Sequence, residues 1–282
     1  MKKEKDVLNP ANGDMPCNYV SIDMDYPRSK SGIEAYFWYL YHKNVEVIID
    51  HEGEWFIIVK GKCSKLSGKR CLINNYQPEN CMQHGEKPRS LNEVAKYRFP
   101  TEQDLLAYLK DHRPALFKKL YPASRRILKN GNQVISKKPL KVKKTSAANS
   151  STLHDSHDCS KCDLCCTYLN ITVDKPKSEK DVKNLLWYVY HDNCHLNLDE
   201  DGGWSVVFHN RCDMLDQNGL CGIYERRPSI CRSFSSNNCH GTEYDNSVKE
   251  YFPTDKTLLS YFAKKRSALF KKFSPQLRKL AK

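Results

Sequence analysis

Trp38-Tyr39-Leu40-Tyr41-His42-Lys43-Asn44 and Trp187-Tyr188-Val189-Tyr190-His191-Asp192-Asn193 are two versions of one phrase, and their spacing decides how the chain is read. The same 149-residue offset pairs Cys17 with Cys166, Tyr19 with Tyr168 and Ile22 with Ile171. It also pairs Trp55 with Trp204 and Cys63 with Cys212. One added residue in the second copy then brings Cys71, Ile73, Pro78 and Cys81 onto Cys221, Ile223, Pro228 and Cys231. From Phe99 the offset becomes 153, and Phe99-Pro100-Thr101 falls on Phe252-Pro253-Thr254. Chance does not hold a register that long, so the chain reads as two copies of one unit.

Each copy reads as α+β. A short strand near Tyr19 to Ile22 precedes a helix with Ile33, Phe37, Leu40 and Tyr41 at helical spacing; the second copy has Val182, Leu186, Val189 and Tyr190. Val45, Val47 and Ile49 alternate before His51-Glu52-Gly53, and Trp55, Ile57 and Val59 alternate after it, which is a hairpin. Asp201-Gly202 marks the same turn in the second copy. Thr101 followed by Asp104 opens a closing helix with apolar Leu105, Leu106 and Leu109. The expected fold is a tandem duplication of a small helix plus β-hairpin unit, with a cysteine-rich metal-binding loop and helical C-terminal ends. The expected divisions are 1–121 for the first repeat, 122–158 for a basic polar linker and 159–282 for the second repeat. The linker carries Arg125, Arg126, Lys129, Lys137, Lys138, Lys141, Lys143 and Lys144, then the polar run Thr145 to Thr152.

At 282 residues, 39% hydrophobic and 28% charged, the chain has the composition of a folded protein that buries its own core. Its 13 cysteines therefore are not staples for a core too small to stand alone. The longest apolar runs, Val45 to Ile49 and Trp55 to Val59, fall far short of the ~20 residues a membrane span needs. Met1 to Asp6 has lysines but no apolar run behind it, so no secretory signal is expected and the compartment reads as a reducing cytoplasm. An odd cysteine count with several cysteines two residues apart then favours thiolate coordination over disulfides. The net charge of +13 would attract phosphate or acidic proteins, although much of it comes from the linker.

Comparing the copies sorts the cysteines. Cys17, Cys63, Cys71 and Cys81 correspond to Cys166, Cys212, Cys221 and Cys231, and four thiolates are what a tetrahedral zinc ion or an iron–sulfur cluster takes. Burial as small apolar residues is the plainer alternative. The second copy adds Cys159, Cys162, Cys165 and Cys239, where the first has Pro10, Gly13, Pro16 and approximately Arg89. Their joint absence from the first copy points to one further centre, with Cys239 completing the Cys159-x2-Cys162-x2-Cys165 run. Two alternatives stand beside it. Cys159 and Cys162 hold zinc with His154 or His157, or a single cluster in the second copy draws on both cysteine groups. Cys194 is in phase with Leu196 and Leu198 on a strand and is expected in the core.

Cys159-x2-Cys162-x2-Cys165-Cys166, then Cys212, Cys221, Ile223-Tyr224-Glu225, Arg227-Pro228 and Cys231-Arg232-x-Phe234 resemble the bacterial CxxCxxCC family of YkgJ-like cysteine-cluster proteins. The resemblance covers about residues 159 to 240 and implies zinc or iron chelation; flagellin lysine N-methylases carry a similar cluster. The first copy departs from it, with Asn75, Gln77 and Met82 in place of Glu225, Arg227 and Arg232. Arg227 and Arg232 are candidates to offset thiolate charge, with Glu225 beside them. The competing reading is that these residues simply open a helix and make ordinary ion pairs.

His42 and His191 each follow an aromatic helix end, where a capping histidine is commoner than a ligand. Trp55 and Trp204 read as core anchors. There is no Gly-rich phosphate loop and no dinucleotide fingerprint. The leading expectation is a cytoplasmic iron–sulfur protein with a redox or metal-handling role centred on the second repeat, and with zinc as the alternative metal. It would act with a protein or small-molecule partner. A second reading is a zinc-stabilised protein or nucleic-acid interaction module working through the basic linker. A third, implied only by the resemblance, is a relative of protein lysine methyltransferases.

Overall fold

The computed structural model describes residues 16–68, 70–73, 77–81, 90–120, 163–233 and 248–281. The chain is α+β, and its two halves build four-stranded antiparallel sheets of the same order. The first sheet runs β1 (Tyr19–Met24), β3 (Trp55–Lys60), β2 (Val45–Asp50), β6 (Ala95–Phe99). Between β3 and β6 the short strands β4 (Leu66–Ser67) and β5 (Arg70–Cys71) pair with each other. The second sheet runs β7 (Leu169–Val173), β9 (Trp204–Phe208), β8 (Cys194–Asp199), β10 (Val248–Phe252). Val47 faces Phe99 and Leu196 faces Phe252, the pairs the sequence offsets require. The fourth strand of each sheet has no counterpart in the sequence reading. Lys96 and Arg98 alternate with Tyr97 and Phe99, so its signal is that of a charged edge strand and is weak beside the hairpin's.

Local chemistry explains the remaining elements. Ser29 and Ser178 cap the helices Lys30–Leu40 and Glu179–Val189 by accepting from the amides of Gly32 and Asp181. Thr101 and Thr254 form capping boxes that open Glu102–His112 and Asp255–Lys265. Asn44 and Asn193 take the left-handed conformation between helix and strand, with φ of 60° and 58°. Trp55 and Trp204 are both 2% exposed, so the anchoring role expected of them is what the packing shows.

One buried apolar cluster runs through both halves. The main chain joins them by a reciprocal exchange. His42 bridges to Cys212 and Cys63 bridges to His191. Lys43 N donates to Arg211 O at 3.0 Å and Asp213 N to Tyr41 O at 2.6 Å; the mirrored bonds are Asp192 N to Lys62 O at 3.0 Å and Ser64 N to Tyr190 O at 2.6 Å. Gly61 lies where a Cβ would come within 3.2 Å of Asp192 O, so a side chain there would press on the joint. Among the described residues no helix is long and apolar enough to cross a membrane.

Candidate metal centre

Three segments of the second half carry five described thiols. Cys165 and Cys166 close the 3-10 turn Leu164–Cys166 ahead of β7. Cys212 follows β9 and donates its amide to Cys166 O at 2.7 Å, tying the first segment to the second. Cys221 returns beside Cys212 because the intervening loop is closed by Asp216, whose Oδ1 accepts from the amides of Asn218 and Leu220, and by Gly219 at φ 77°. A Leu215–Cys221 bridge completes it. Cys231 comes from the short helix Ser229–Ser233 that Pro228 precedes.

These thiols sense one another's charge. Burial pushes Cys212 up to about 11 and Cys231 to about 12, and the neighbouring thiols Cys221, Cys212 and Cys165 add to it. Cys221 is raised as well, again by burial first. Cys165 and Cys166 share a sulfur–sulfur hydrogen bond that holds Cys165 below the usual thiol range and Cys166 above it. Cys165 therefore sits among the common set, within electrostatic reach of Cys221 and Cys231. Arg227 stacks on Tyr224 at 3.8 Å from the ring centroid, and its charge favours the ionised forms of Cys165, Cys221 and Cys231. Arg232 points elsewhere, to Glu34 of the first half at 3.1 Å and to the carbonyl of Arg227. Glu225 is exposed in the 3-10 turn Tyr224–Arg226.

The first half places its cysteines alike. Cys63 N donates to Cys17 O at 2.8 Å, the counterpart of the Cys212–Cys166 bond. Burial and then the thiols of Cys63 and Cys71 push Cys17 up to about 12, and Cys81 is raised by burial and by Cys63, Cys17 and Cys71. Gln77 Nε2 donates to Cys71 Sγ at 3.4 Å, in the position where the second half has Arg227. Cys194 is 9% exposed and lies in the core, as its strand phase implies. His42 and His191 use Nδ1 on the carbonyls of Trp38 and Trp187 at 2.7 and 2.8 Å, which is capping geometry. Cys159, Cys162, Cys239, His154, His157, Asn75, Met82 and the 122–158 segment lie outside the described residues.

Soft thiol donors drawn from separate segments into half-buried positions beside an arginine suit a thiophilic cation, whose charge offsets the repulsion that keeps the thiols protonated. Among the described residues, no three His, Cys, Asp or Glu side chains have the geometry of a metal-ion site.

Residues 158–253 match the CxxCxxCC family. Its description is "Putative zinc- or iron-chelating domain", and the chemistry of the gathered thiols agrees with it. The CxxCxxCC match takes in every cysteine peculiar to the second half and leaves the first half outside. No curated protein and no solved structure gave a match.

Glu34 is the residue near this centre that the sequence reading missed. It lies two residues ahead of the aromatic run Tyr36-Phe37-Trp38-Tyr39 on a helix of the other half, and nothing in its spacing signals a partner in the cysteine loop.

Proposed function

We propose that the second repeat binds an iron–sulfur cluster whose thiolate ligands are drawn from Cys159, Cys162, Cys165, Cys166, Cys212, Cys221, Cys231 and Cys239, and serves a redox or metal-handling role in the cytoplasm. The observation that carries this reading is the nearness of Cys165 to three of the shared thiols, Cys166, Cys221 and Cys231. It supports one centre that draws on both cysteine groups over two separate ones. When bound, such a cluster supplies one-electron chemistry. The protein's own part is to hold the thiols, keep water partly away and set the Arg227 charge beside them. We further propose that repeats 1–121 and 159–282 are joined by a solvated linker at 122–158.

Anaerobic purification followed by iron, zinc and acid-labile sulfide analysis tests the cluster. Iron and sulfide in comparable amounts, with broad visible absorption, are expected; zinc without sulfide overturns it. Cys162→Ser and Cys239→Ser should each abolish the second-half centre, whereas partial loss with the remaining cluster intact means two centres. Limited proteolysis should cut first between 122 and 158, and earlier cuts inside either repeat would remove that division.

A further inference from the structure

Along β2 and β3, Val47, Ile49, Ile57 and Val59 point into the main core, so Ile48 and Ile58 point to the opposite face of the first sheet. There they form a second buried cluster with Tyr19 of β1 and Leu91 of the short helix Leu91–Val94, and Phe56 packs against it. This cluster floors a cavity of about 530 Å³, a size that suits a small ligand.

The rim of the cavity is acidic. Asp23 comes from β1, Asp50 and Glu52 from the turn between β2 and β3, and Glu93 from the short helix. None of the twelve lining residues is lysine or arginine, in a chain with 46 Lys and Arg to 33 Asp and Glu. Among the described residues, no ion pair involves Asp23, Asp50 or Glu52. The walls are also pre-formed. Asp50 Oδ1 accepts the amides of Glu52 and Glu54 at 2.9 and 2.8 Å, and Glu93 Oε2 accepts the amide of Ser90 at 2.7 Å.

The second sheet shows that the fold does not demand such a face. Phe56 lies opposite Asp23 on one side and Ile48 on the other. In the second sheet, of the same strand order, Ser205 lies opposite Thr172 and Asn197. An apolar row ending in a carboxylate thus has a neutral polar row as its counterpart.

We propose that this cavity binds an aliphatic polyamine, with its methylenes on the apolar floor and its ammonium groups at the rim carboxylates. Carboxylates reach the cavity from three separate elements, so a single ammonium would leave some of them uncompensated. The net charge of +13 repels cations from the chain as a whole, which makes uptake a property of this cavity and not of general acidity. Its small volume, with the helix Leu91–Val94 as one wall, favours a free polyamine over a basic peptide. The site does not depend on the metal reading of the second half.

Calorimetric titration of the full chain with spermidine tests this, and one saturable site per chain is expected. Asp23→Thr and Glu52→Gln, at exposed positions, should each weaken binding about two- to fivefold. Phe56→Ser, which installs the residue of the second sheet, should weaken it about tenfold. Asp201→Asn, at the corresponding turn of the second sheet, should leave it unchanged. Should Phe56→Ser fail to fold, Asp23→Thr still decides, because an exposed strand residue tolerates the change. The proposal is overturned if spermidine does not bind, if Asp23→Thr and Glu52→Gln bind as the wild type does, or if Asp201→Asn loses as much as they do. It is overturned as well if hexylamine, with one ammonium, matches spermidine, or if a lysine-rich peptide binds where spermidine does not.

Discussion

Glu34 and Arg232, 198 residues apart, form an ion pair at 3.1 Å that runs from a helix of the first half to the cysteine-bearing helix of the second. Glu34 is 2% exposed and also accepts the amide of Ser229 at 3.0 Å, while Lys30 approaches its other oxygen at 3.5 Å. The first half therefore holds the start of the helix that presents Cys231.

Glu34→Ala should leave Ser229 N and Arg232 without this acceptor and cost about 1–3 kcal/mol, toward the lower figure because Arg232 keeps contact with water. Glu34→Gln, which can still accept from Ser229, should lose less. Urea unfolding measures both, and a wild-type midpoint for Glu34→Ala would mean the pair is idle.

Trp204 stacks on Phe252 at 5.3 Å and on Phe262 at 6.0 Å in the shared core. Trp204→Ala should cost roughly 3–5 kcal/mol. Since one apolar cluster joins the halves, unfolding should remain a single transition. Two separated transitions in calorimetry would show that the halves melt independently.

Asn193 at φ 58° offers a backbone test. Asn193→Gly should be near neutral, and Asn193→Ala should cost about 1 kcal/mol because its Cβ is crowded in the left-handed region. Equal stability of the two variants would contradict the assigned conformation.

His42 gives the chain an acid sensitivity. Its Nε2 is buried without a hydrogen-bond partner, and burial lowers its pKa from 6.5 to about 4 against a smaller opposing effect of the Trp38 carbonyl. Between those values the unfolded chain binds the proton and the folded one does not, so stability is complete above the unfolded value and falls as pH drops toward the folded one. The loss should approach roughly 3 kcal/mol at most. His42→Gln should flatten that part of the stability profile, and an unchanged slope would assign the sensitivity to other groups.

Much of this was legible in local pattern. The helix cap at Thr101, the hairpin turns at Gly53 and Gly202, and the core phase of Cys194 are set by residues a few positions apart, which act the same way in any surroundings. The like placing of Cys17 with Cys63 and of Cys166 with Cys212, each pair joined by one main-chain bond, follows the offset at which the sequence aligns with itself.

What the amino-acid sequence determined by itself is the α+β pattern and the candidate thiols, since periodicity, caps and spacing are short-range properties. Only the tertiary structure decided that Lys96 and Arg98 belong to an edge strand, that Cys165 lies among the shared thiols, and that Arg232 turns to Glu34. It also decided the exchange of main-chain bonds between Tyr41–Lys43 and Arg211–Asp213 and its mirror at Lys62–Ser64 and Tyr190–Asp192. Those contacts join residues well over a hundred positions apart through backbone groups that every residue carries, so no side-chain pattern announces them.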